Sequence, residues 1–142
     1  ETVRKDDPRL TLRDGCAATG KEQPWRVILT RSGDIPPSSH LLTVAYKDRT
    51  LIMQGVELRD VLKQLAERGV VSVLIEGGGI VLGQAFRERL VDEVHWYVAP
   101  LLCGGGRPSI AGPALAASVE LANVKVMPMG DNVHVSGYPK WK

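Results

Sequence analysis

Cysteine and histidine are scarce in this sequence: two of the first and three of the second among 142 residues. None of the five falls at the spacing of a metal-ligand pair, which argues against a bound metal. Cys16 and Cys103 lie far apart, and a reduced, cytosolic protein is the simplest setting for them. Charge of one sign is scarce too, with a formal net charge of +2. So mild a balance does not call for DNA, RNA or an anionic membrane as partner. It leaves room for an anionic small molecule held by a local cluster of arginines. No apolar run approaches the ~20 residues that a membrane helix needs, and no charged stretch leads into an apolar leader segment. Walker A, GxGxxG and GxSxG patterns are also missing.

Hydrophobic residues make up 44% of the chain. That suits one compact domain, which at this size buries roughly two-thirds of its unfolded surface. Residues 1–13 read as a polar connection, 14–24 as a surface loop, and 25–30 as a short buried strand. After a loop at 31–39, residues 40–45 and 50–53 are two further strand candidates. The strongest helix is 58–68, where Leu58, Val61, Leu62, Leu65 and Ala66 share one face before Gly69. Residues 70–75 form an unbroken apolar run, expected to be a strand buried on both faces. A helix over 80–89, a strand over 93–98 and a hairpin of 124–127 with 133–138 complete the pattern. Together these predict one α/β domain with a mixed sheet.

The sharpest chemical feature is the passage from strand to helix at Glu76-Gly77-Gly78-Gly79-Ile80. Ligands of open α/β sheets bind beyond the carboxyl ends of strands. A helix start there offers N–H groups and the positive end of the helix dipole to a phosphate. The plain alternative is a turn without a ligand. Glu76 can accept bonds from a substrate or handle a proton, or it can cap the helix. A second cluster, Lys5-Asp6-Asp7-Pro8-Arg9-Leu10-Thr11-Leu12-Arg13, reads either as a solvated loop or as a site in which Arg13 clamps a phosphate. Thr30-Arg31 pairs a hydroxyl with a guanidinium at a strand end, which suits a 2′-phosphate as well as it suits a plain surface loop. His40, His95 and His134 read as isolated surface or rim positions.

The motifs TV-x-x-DDPRLT-x-R, WRVIL, AERGV-x-SVLIEGGG and LVDEVHWYVAPLLCGGGRP, in that order, resemble the reductase domain of riboflavin biosynthesis. The resemblance spans Thr2 to about Pro108, with a weaker echo in the last hairpin. It implies a dihydrofolate-reductase-like fold, a mixed sheet flanked by helices. It also implies NADPH-dependent reduction of a ribosylamino group on a phosphorylated pyrimidine to the ribitylamino product, by a homodimer. Position by position, it makes Thr2 and Asp6 cofactor contacts, Leu10 and Arg13 substrate contacts, and Glu76 the acid facing the substrate. The stretch Gly78, Gly79, Ile80, Val81, Leu82, Gly83 and Gln84, with Gly77 before it, becomes the cradle of the cofactor phosphates. Thr30 stands where the family usually has Asp, and with Arg31 after it this favours NADPH over NADH. Gly79 stands where Pro is common, which loosens the turn.

The resemblance further implies that residues 1–142 are one reductase domain whose first strand and helix lie upstream of Thr2. No H-x-E or P-C-x-x-C signature of a zinc deaminase occurs in the chain. Two alternatives accompany this reading: a dihydrofolate-reductase-like enzyme acting on a pterin, and an NADPH-binding module without turnover.

Overall fold

The computed structural model describes residues 2–12, 22–43, 45–106 and 108–141, with the side chain of Thr2 left aside. The chain divides into two compact units, Glu1–Val71 and Ser72–Lys142.

The first unit opens with a short helix, α1 (Thr2–Asp6), where the sequence suggested an irregular connection. The bond from Asp7 N–H to Val3 O closes its last turn, and Pro8 then disfavours helical backbone at the residue before it. Strand β1 (Arg26–Thr30) pairs in parallel with β2 (Thr50–Gln54), Ile28 opposite Ile52. The segment between them carries α2 (His40–Thr43) and a 3₁₀ turn at Lys47–Arg49. Residues 40–45 were expected to be strand. The bonds of Leu42 and Thr43 N–H to Ser39 O wind this stretch into helix instead, and Leu41 is fully buried.

Helix α3 (Leu58–Glu67) forms as its periodicity predicts. Its Val61 and Leu65 pack with Met53 into a core that Val27, Leu51, Val56 and Val70 complete. Strand alternation turns Arg26 and Ile28 toward the opposite face of β1, and both are buried there.

The apolar run at 70–75 is not a strand. Val71 is 98% and Leu74 75% exposed, and no residue of the run pairs with either sheet. The run crosses from one unit into the other, and a strand needs one neighbour along its whole length to satisfy its ladder. Of the mixed sheet expected from the sequence, the parallel part among the described residues is the β1–β2 pair.

In the second unit, α4 (Gly79–Arg87) buries Gly83, Ala85 and Phe86. Strand β3 (Val94–Val98) lies at one edge of an antiparallel sheet ordered β3-β5-β4, with β4 spanning Leu121–Met129 and β5 spanning Asn132–Pro139. The β4–β5 hairpin turns at Gly130, whose φ of 61° is one that glycine adopts without strain. A bulge between Ala122 and Lys125 carries Asn123 at positive φ. Among the described residues no helix is long and apolar enough to cross a membrane.

Candidate active site

The carboxyl end of β1 opens into a cavity of about 490 Å³ lined by Arg4, Lys5, Thr30, Ser32 and Asp34. Helix α1 brings the two cations, the last residue of β1 brings the Thr30 hydroxyl, and the turn after it brings that of Ser32. The turn is held by Gly33 N–H donating to Thr30 Oγ1 at 3.1 Å and Gly55 N–H donating to Thr30 O at 3.0 Å. Arg4 forms an ion pair with the Asp34 carboxylate and donates to Asp34 O at 3.1 Å through Nη2. Lys5 is exposed at the rim. The lining therefore carries two cations, two hydroxyls and one carboxylate, and with Arg4 paired to Asp34 it is Lys5 and the hydroxyls that are left to meet a phosphate group.

The DDPRLT segment follows α1 directly. Asp7 does not hang in solvent as a loop acid. Its Oδ1 accepts from His40 N–H at 2.8 Å and from Ser39 Oγ at 3.2 Å, and His40 Nδ1 lies 2.7 Å from Oδ2. The bond from His40 N–H, then the charge of the His40 ring and the Ser39 hydroxyl, hold the Asp7 carboxyl below the usual carboxylate range. Asp7 and Leu10 both have positive φ, at 38° and 49°.

In the second unit the three glycines have separate roles. A methyl at Gly78, the residue before α4, would meet nothing within 4 Å, so the backbone there is open to a ligand. At Gly79 it would lie 2.5 Å from Pro108 O, and at Gly83 it would overlap Ala111 O. Those two glycines therefore admit the segment 108–113 rather than a ligand. That segment is tied down by Ala111 N–H donating to Gly79 O at 2.8 Å and by Arg87 Nη1 donating to Pro113 O at 3.2 Å. At Gly77 a methyl would press on Val81. At the start of α4, Val81 and Leu82 N–H already donate to Gly78 O at 2.9 and 3.2 Å, which leaves only the Gly79 and Ile80 N–H groups of that turn for an anion.

Of the residues singled out in the sequence, Thr30 lines the cavity. Arg31, next to it, is exposed and lies outside the lining, and Asp6, the last residue of α1, is likewise exposed. Leu10 is 37% exposed. Glu76 is exposed ahead of α4, and Ile80, Val81, Leu82 and Gln84 belong to its first two turns. Arg13 and Cys16 lie outside the described residues, as does the side chain of Thr2. Sequence reasoning included Lys5 only as the first residue of the charged cluster and missed Arg4, Ser32 and Asp34; the one signal for Arg4 was the basic pair directly ahead of DDPRLT. It also took His95 and His134 for isolated residues. The β3–β5 register instead brings His95 Nδ1 within 3.0 Å of His134 Nε2, with parallel rings, and Tyr97 stacks on His134.

A family model described as the RibD C-terminal domain matches residues 1–135. The chain belongs to the RibD C-terminal domain family. It is 31% identical over 168 residues to the riboflavin biosynthesis protein RibD of Bacillus amyloliquefaciens, covering 98% of this chain and 44% of that protein. It is also 31% identical over 137 residues to the 2,5-diamino-6-ribosylamino-4(3H)-pyrimidinone 5′-phosphate reductase of Aquifex aeolicus, covering 79% of this chain and 59% of that one. The RibD structure from Acinetobacter baumannii superposes with a TM-score of 0.82 at 25% identity, over 98% of this chain and 45% of the other. The chain thus spans less than half the length of the Bacillus relative. With the parallel pair and the antiparallel sheet, this likeness gives the RibD-type domain the mixed, dihydrofolate-reductase-like α/β fold.

Proposed function

We propose that this RibD-type domain reduces a phosphorylated ribosylaminopyrimidine, 5-amino-6-(5-phosphoribosylamino)uracil or its diaminopyrimidinone analogue, to the ribitylamino product with NADPH. The observation that carries the reading is the cavity at the end of β1, where Lys5, Thr30 and Ser32 face a 2′-phosphate and Arg4 offsets the Asp34 carboxylate of the same lining. Family membership and the name of the Aquifex relative supply the reaction class.

In this reading the β1 cavity, with Arg31 beside it, takes the 2′-phosphate, while Thr2 and Asp6 contact the same cofactor. The open backbone at Gly78 and the first turn of α4 hold the pyrophosphate; this fit rests on the room over Gly78. NADPH supplies the hydride. Leu10 and Arg13 hold the pyrimidine phosphate ester, and Glu76 orients its polar groups and assists proton movement. The protein's task is alignment and exclusion of water around the two reacting carbons. The working form in this reading is a homodimer. It is supported by Trp96, Val98, Val126 and Val133, exposed apolar residues on strands of one sheet.

Calorimetric titration with NADPH, and with NADH as control, tests the cofactor half. Binding of NADPH at least tenfold tighter than NADH is expected, the worth of about one charge-assisted contact. Equal affinity for the two removes the assignment of the cavity. Glu76→Gln tests the substrate half: turnover falls while NADPH affinity holds, and unchanged turnover removes Glu76 from the site.

A further inference from the structure

Arg26 is the most deeply buried charged residue among those described, with 2% of its surface exposed. No carboxylate among the described residues meets it. Its guanidinium is spent on backbone carbonyls instead: Nη1 donates to Arg9 O at 3.1 Å, and Nη2 to Tyr46 O at 2.5 Å and Leu41 O at 3.4 Å. Its Nε finds no acceptor. Burial pulls the guanidinium pKa below its ordinary value. Burying a cation without an anion is costly, and an apolar side chain would fill the same space more cheaply.

Arg26 reaches a segment with an unusual backbone. Arg9 lies between Asp7 and Leu10, two non-glycine residues with left-handed φ. A residue other than glycine is strained in this backbone region and persists there only where its surroundings fix it. Three long-range anchors do so here. Asp7 is bound to Ser39 and His40, Arg9 O to Arg26, and Leu12 N–H donates to Gln23 Oε1 at 2.9 Å. The central anchor is the buried guanidinium, and its neighbour in the loop is Leu10.

We propose that Arg26 is a positioning residue for the pyrimidine substrate: its grip on Arg9 O sets the loop conformation that presents Leu10 and the residues after it. The proposal rests on the functional reading above, in which that loop holds the substrate. Arg26 itself touches no substrate. A lysine in its place keeps the charge but cannot reproduce a planar fork spanning three carbonyls.

The test compares Arg26→Lys with the unaltered protein in steady-state reduction of 5-amino-6-(5-phosphoribosylamino)uracil. Amide hydrogen exchange at Leu12 is followed in parallel. The expected result is a rise of about tenfold in KM for the pyrimidine, with KM for NADPH within about twofold, matching loss of one strong hydrogen bond at the loop. Leu12 exchanges faster while α3 keeps its protection. Asp7→Asn, which loosens the same loop at its other end, shifts the same KM. An unchanged pyrimidine KM, or two KM values rising together, overturns the proposal. So does loss of the fold in both Arg26→Lys and Arg26→Gln, which would assign Arg26 to the core. If the unaltered protein reduces no pyrimidine, the functional reading fails, and with it the substrate role; the exchange data then still report whether Arg26 holds the loop.

Discussion

Replacing Gly83 by alanine sets two effects of opposite sign against each other. Within a helix the change ordinarily stabilises by about 1 kcal/mol, because alanine loses less backbone freedom on folding. At this position the new methyl would overlap the Ala111 carbonyl oxygen and lie 3.0 Å from both the Ala111 carbonyl carbon and Arg87 Nη1. The first two atoms are backbone and cannot rotate away. Relief requires residues 108–113 to lift from α4. Overpacking of this kind costs about 1–3 kcal/mol. The lift also strains the 2.8 Å bond from Ala111 N–H to Gly79 O and the 3.4 Å bond from Arg87 to Ala111 O. The shorter of these contributes roughly 1 kcal/mol. The steric and hydrogen-bond losses outweigh the propensity gain, and the net destabilisation is about 2 kcal/mol. For a chain of this length that lowers the melting midpoint by roughly 6–8 °C. Thermal melts followed by circular dichroism measure it, with urea titration to show that the midpoint moves at constant slope. A variant that melts at or above the parent would mean that helix propensity wins, and the packing role given to Gly83 would be wrong.

Gly78→Ala is the companion experiment: open space and a φ of −66° predict a melting midpoint within about 2 °C of the parent, together with weaker NADPH binding by calorimetry. Unweakened binding would detach the pyrophosphate from this turn. Asp7 supplies a pH signature. Its carboxyl titrates below the usual value of 3.8, chiefly through the bond from His40 N–H, so the unfolded chain binds more protons in the acid range. The stability contributed by Asp7 is present above that usual value and is lost as pH falls through the lower, folded one. Asp7→Asn is therefore expected to flatten the acid limb of a stability–pH profile measured between pH 7 and 2.5, and parallel profiles for the two proteins would contradict a stabilising bond from His40 N–H to the Asp7 carboxylate.

Local pattern was enough for several elements, because their determinants are neighbours in sequence. Leu58, Val61 and Leu65 lie on one face of α3 whatever it packs against, and all three are buried. Gly130 marks the hairpin turn because a tight turn favours its backbone freedom. The order of the DDPRLT and EGGG motifs resembles the reductase domain of riboflavin biosynthesis, and the match to the RibD C-terminal domain family bears this out.

Tertiary structure decided the rest. Residues 40–43 carry an apolar pair that suits strand or helix equally; part of the helical choice comes from Asp7, 33 positions away, bonding His40 N–H. The run at 70–75 has a strand's composition, yet composition cannot supply a ladder partner. Arg26 reads in sequence as one charged residue opening a strand, and its burial against three carbonyls depends on α2 and two loops meeting it. His95 and His134 become neighbours only through the register of β3 on β5. Periodicity reports which face of an element is apolar, but which polar groups meet across separations of 17 to 39 positions in the sequence depends on chain closure. For that reason the sequence alone determined the family, the strongest helices and the Gly-rich turn. The cavity cations, the anchored DDPRLT loop and the histidine pair required the folded chain.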